Sequence, residues 1–120
     1  MTDLSQERRR FVRVEHSMPV QYKKLKMATE PSVGALSRDI CQGGVRFIIN
    51  EFLSLASRLV LEISIPNTPR PIKAISKVAW IRKIPLGDQY EVGNQFLDMT
   101  KEDKKLITTY IDSLASPSLS

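Results

Sequence analysis

A repeat of two along the chain limits its possible folds more than any other feature. Leu59, Leu61, Ile63 and Ile65 alternate with Arg58, Val60, Glu62 and Ser64. That is the pattern of a strand with one face in a core and the other toward water. Val20 and Tyr22 alternate with Gln21 and Lys23 after Pro19, and Val45, Phe47 and Ile49 alternate with Arg46 and Ile48. Val33 to Ile40 is a weaker run, interrupted by Gly34. Ile72 to Ile84 reads as one long strand, with Ile75, Ala79 and Ile81 on one face and Ile72, Ala74, Val78 and Trp80 on the other. Tyr90, Val92 and Phe96 line a last strand. Pro66, Pro69 and Pro71, then Pro85-Leu86-Gly87-Asp88, break these runs, and Gly43-Gly44 marks a tight turn or bulge.

The period changes at Thr100. Leu106, Ile107, Tyr110, Ile111 and Leu114 fall at helical spacing and form one apolar stripe. Thr100 is placed to cap, and Asp103 three residues on makes a capping-box variant. Ser116-Pro117 ends the helix. About six strands at intervals of roughly ten residues, then one helix, predict a mostly β chain. The expected fold is a small six-stranded antiparallel β-barrel with a C-terminal α-helix laid over one end, since closure removes exposed strand edges. With 120 residues there is room for one domain. Residues 1–17 read as a flexible Arg-rich arm, 18–115 as barrel plus helix, and 116–120 as a tail.

Several function classes drop out early. One Cys excludes an internal disulfide framework and fits a reducing, cytoplasmic setting. One Cys and one His do not supply the ligands of a structural zinc site. No apolar run is long enough for a membrane span, and the first ten residues hold no apolar stretch of a secretory signal. His16 has no nucleophile or oxyanion elbow beside it, Cys41 has no activating base, and the glycines form no phosphate loop. The expectation is a protein that is not an enzyme and carries neither metal nor cofactor.

Charge is local. Residues 8–26 hold seven basic side chains and one acidic one, a net of +6, while the other 11 basic and 12 acidic residues give −1. An anionic partner at one place follows from that asymmetry. Arg8, Arg9, Arg10 and Arg13 lie within six residues. Their planar forks match phosphate oxygens and the Hoogsteen edge of guanine, and their flat faces stack on bases; the plain reading is a solvated basic arm. The second signal is Asp39-Ile40-Cys41-Gln42-Gly43-Gly44. Asp39 follows a strand and could accept from guanine N1–H and its amino group, or simply cap its own turn.

In this order, the two signals resemble the PilZ family, a bacterial receptor domain for cyclic di-GMP. Arg9-Arg10-Phe11-Val12-Arg13 fits its R-x-x-x-R motif. Asp39 to Gly44 fits its [D/N]-x-S-x-x-G motif, with Cys41 in place of the usual Ser. Pro19-Val20-Gln21-Tyr22, Val78-Ala79-Trp80-Ile81-Arg82, Val92-Gly93-Asn94-Gln95-Phe96-Leu97-Asp98 and the closing helix are similar too, so the likeness covers roughly residues 7 to 115.

The resemblance implies cyclic di-GMP as ligand, as a monomer or an intercalated dimer. It gives Arg9 and Arg13 the guanine edges and phosphates, and Arg8 and Arg10 further phosphate contacts. Asp39 takes a guanine Watson–Crick edge, Gly44 lets the backbone approach the ligand with Gly43 beside it in the site, and Trp80 lies beside the outer base. Cys41 offers a weak thiol donor. One lost neutral hydrogen bond costs about 0.5–1.5 kcal/mol, up to about tenfold in affinity, against about 1.5–3 kcal/mol for each charged Arg contact. Weaker binding is therefore expected, not lost binding. The ligand would order the arm and present a surface to a downstream protein partner. The alternatives are a PilZ-like interaction module of pilus or flagellar control that binds nucleotide weakly or not at all, and a small nucleic-acid binder. Against the latter stand the short basic segment and the lack of an aromatic-rich strand.

Overall fold

The computed structural model describes residues 14–15, 17–27, 29–85 and 87–115. Among these, the strands are β1 (Val14–Glu15), β2 (Pro19–Lys24), β3 (Val33–Cys41), β4 (Gly44–Ile49), β5 (Arg58–Ile63), β6 (Ile72–Lys83) and β7 (Tyr90–Asp98). A 3-10 turn, Leu25–Met27, follows β2, and helix α1 spans Lys101–Ala115. All pairings are antiparallel in the order β1-β3-β2-β5-β6-β7-β4, and β3 also pairs with β4. That last pairing closes β2 to β7 into the expected six-stranded barrel. The short β1 lies outside the ring on β3, Val14 opposite Ile40 and Glu15 opposite Asp39.

The alternating rows form the core as read. Val20, Tyr22, Phe47, Leu59, Leu61, Ile63 and Val92 are all buried. The rings of Tyr22 and Phe47 lie 5.7 Å apart. Gly43 belongs to the two-residue turn Gln42–Gly43, while Gly44 already opens β4 opposite Cys41.

Two readings need correction. The two-residue period does not run unbroken through β6. Val78 pairs with Asn94 but Trp80 with Gly93, so β6 holds one extra residue there. A bulge of this kind reverses the inward and outward rows. Ile72, Ala74, Ser76 and Val78 are buried before it, whereas beyond it Ile81 packs on the core and Trp80 is 39% exposed. Trp80 thus does not share the face of Val78. In α1, Ile107 and Ile111 enter the core and Leu106 and Tyr110 pack against it, but Leu114 is exposed, because the stripe outruns the barrel end it covers.

Helix α1 begins as its sequence predicts, with Thr100 Oγ1 accepting from the Asp103 amide at 3.1 Å. The Asp103 carboxylate does not complete the box. It is buried, accepts the Lys73 amide of β6 at 3.0 Å, and meets Arg70 at 2.9 Å. That ion pair raises the pKa of the Arg70 guanidinium. No helix among the described residues is long and apolar enough to cross a membrane.

Candidate functional site

β3 carries a second bulge, and it decides where Asp39 points. Ser37 pairs with Phe47 and is buried, and Asp39 pairs with Arg46, so Arg38 is the extra residue. Without it, Asp39 would follow Ser37 toward the core. With it, Ile40 turns inward and Asp39 joins the outer row of Arg46. Bulges commonly re-aim a side chain beside a functional site.

On that outer wall four charges alternate across four strands. Asp39 on β3 accepts from Arg46 of β4 at 2.5 Å. Arg46 also meets Glu91 of β7 at 3.3 Å. Glu91 accepts from Arg82 of β6 at 2.6 and 2.8 Å. Both carboxylates are almost fully buried, which requires such partners, while Arg82 remains largely exposed. The Arg46 Nε is buried without a hydrogen-bond partner among the described residues.

Beside this ladder lies a shallow concavity of about 400 Å³, lined by Cys41, Gly43, Gly44, Arg46, Trp80 and Gly93 among others. Its floor is glycine because the strands leave no room. A Cβ on Gly44 would fall on the backbone carbonyl oxygen of Asn94, and one on Gly93 would fall on the Trp80 indole. The close approach that Gly44 allows is thus already used by the neighbouring strand. Phe96 N–H donates to the Gly43 carbonyl at 2.9 Å, tying the hairpin tip to β7. Cys41 is buried and a free thiol.

Of the residues singled out in the sequence, Cys41, Gly43, Gly44 and Trp80 come together here, with Asp39 joined to them through Arg46. Arg8, Arg9, Arg10, Arg13 and His16 lie outside the described residues. A larger concavity, about 620 Å³ between Ile65–Arg70 and α1, contains none of these residues. Arg46, Glu91 and Arg82 were not foreseen. Their only sequence signal is charge within strand runs, and the pairing of those strands is not written in it.

A family model for the PilZ domain matches residues 7–113. The chain belongs to the PilZ family. Solved PilZ structures share the barrel. The PilZ domain of YcgR from Escherichia coli, solved with c-di-GMP, superposes with a TM-score of 0.68 at 18% identity over 92% of this chain and 94% of that one. The Bacillus subtilis inhibitor of motility MotI/DgrA gives 0.77 at 21% identity, covering 94% of this chain and 54% of its own. The K. pneumonia MrkH–c-di-GMP complex gives 0.71 at 19%, covering 93% and 54%. The chain spans about half the length of MotI and MrkH. A search of curated proteins finds no match. In this PilZ barrel, the Asp39-to-Gly44 motif is the end of β3, the hairpin turn and the first residue of β4.

Proposed function

We propose that this PilZ domain is a cytoplasmic receptor for cyclic di-GMP and has no catalytic role. Arg9 and Arg13 take guanine edges and phosphates, and Arg8 and Arg10 add phosphate contacts. Asp39 accepts from a guanine Watson–Crick edge, Cys41, Gly43 and Gly44 line the approach, and Trp80 flanks the outer base. Ligand binding orders the N-terminal arm and offers a new surface to a protein partner. Motility control is one outlet, since MotI is an inhibitor of motility. The observation carrying this reading is the convergence of the second motif and Trp80 on one outer concavity beside a buried carboxylate. The c-di-GMP complexes of YcgR and MrkH support it.

Arg46 already holds Asp39 Oδ2, so a guanine edge at this carboxylate shares it with that guanidinium. The same contact favours a second reading. If Arg46 outcompetes the base, the domain is an interaction module with little affinity for nucleotide.

Isothermal titration with cyclic di-GMP, with GMP and cyclic di-AMP as controls, separates the two and counts the ligands. Arg9→Ala and Arg13→Ala should each lower affinity by about tenfold or more. Wild-type-like titrations in both variants would count against the assignment. Cys41→Ser should bind as tightly or more tightly, and a large loss would assign the sulfur a positive role.

A further inference from the structure

The end of the barrel away from the β3–β4 hairpin is crossed by one loop. β4 and β5 stand on opposite sides of the ring, so residues 50–57 must span the mouth. Leu53 plugs it, 2% exposed. Glu51 accepts from the Tyr22 hydroxyl at 2.6 Å, Phe52 packs edge-on against Tyr90 with centroids 5.8 Å apart, and Ala56 N–H donates to the Val78 carbonyl at 2.9 Å.

The loop's exposed side chains are held outward by construction. Ser57 N–H closes a turn onto the Ser54 carbonyl at 3.1 Å, and the Ser57 amide-linked carbonyl accepts from Val78 N–H at 2.9 Å. Ala56 has a φ of 67°, a place where such a turn ordinarily wants glycine. A non-glycine residue stays there only when its surroundings dictate it. Leu55, just before it, is thereby presented at 62% exposure, with Phe52 at 59%. The β2–β3 connection reaches the same mouth and adds exposed Leu25, Met27 and Val33. Five of the nine large apolar side chains exposed among the described residues therefore gather at one end.

Their setting is basic. Lys26 and Arg58 are exposed and have no ion-pair partner among the described residues, whereas Lys24 faces Glu51 at 3.7 Å. We infer that this mouth is a docking surface for a protein segment with an apolar face flanked by carboxylates. An anionic membrane fits less well. The cations of this end, Lys24, Lys26, Arg58 and Lys83, are interspersed with Glu30, Glu51 and Asp88 and do not form the unbroken cluster of roughly four to eight bases that holds acidic lipid. This inference does not depend on nucleotide binding.

The test uses the full chain and a synthetic amphipathic helix bearing a Leu stripe with Glu flanks, and a twin with Lys flanks. Fluorescence anisotropy should show the Glu peptide binding at least about tenfold more tightly than its twin. Leu55→Glu should weaken that binding by about tenfold or more, with its thermal melt unchanged because Leu55 makes no part of the core. Lys26→Glu combined with Arg58→Glu should invert the preference toward the Lys peptide. The inference is overturned if the peptides bind alike, if Leu55→Glu binds as wild type, if the chain sediments instead with phosphatidylcholine–phosphatidylglycerol vesicles, or if Leu55→Glu abolishes a self-association seen by ultracentrifugation.

Discussion

Removing the Arg46 guanidinium strips two nearly buried carboxylates, Asp39 and Glu91, of a shared counter-charge. A hydrogen bond to a charged group is worth about 1.5–3 kcal/mol, and partial exposure of Arg46 lowers the sum, so Arg46→Ala should cost about 2 kcal/mol. Arg46→Lys should recover only part, because an ammonium cannot fork between both acids as a guanidinium does. Urea unfolding midpoints measure this, and equal midpoints for Ala and wild type would show that the ladder adds nothing. Gly44→Ala puts a methyl on a backbone carbonyl, which cannot swing aside, and should cost about 1–3 kcal/mol. Gly93→Ala meets a side chain instead and should displace Trp80, visibly so, as the chain's single Trp reports alone in fluorescence.

At the scale of elements, α1 is fastened twice. Thr100→Ala removes one capping bond and should cost about 1 kcal/mol. Asp103→Ala removes the buried acceptor of the Lys73 amide and the partner of Arg70, and should cost about twice as much. Thermal unfolding of the two variants would show equal losses only if the docking carboxylate were idle. The cap was legible because Thr100 and Asp103 are neighbours in sequence. The docking was not, because Lys73 lies thirty residues away. The strands behave alike. The alternation of Leu59 to Ile65 reads straight into burial, while β3 and β6 keep their phase up to Ser37 and Val78 and then invert. Local preference marks a strand, but a bulge is fixed only by register against the partner strand.

For the molecule as a whole, Tyr22 ties stability to pH. Burial first, then its bond to Glu51 and the charge of that carboxylate, push the phenol far above its ordinary value near 10. Below about pH 10 folded and unfolded chains both keep the proton, and this group adds no pH dependence. Above it the unfolded chain releases the proton and the barrel does not, so stability falls as pH rises, by up to about 1.4 kcal/mol per unit from this group. Denaturation midpoints followed into alkali should decline in wild type and decline less in Tyr22→Phe; identical slopes would place the titration elsewhere.

The six barrel strands, the closing helix, most of the core rows and the two ligand-type motifs were present in the order of residues, because side-chain period and short-range caps are local properties; the short β1, which exists only through its pairing with β3, was not. The outward turn of Asp39 and Trp80, the Asp39–Arg46–Glu91–Arg82 ladder and the loop across the mouth were decided only by barrel closure. Register and bulges belong to pairs of strands, and no single strand carries the information about its neighbour.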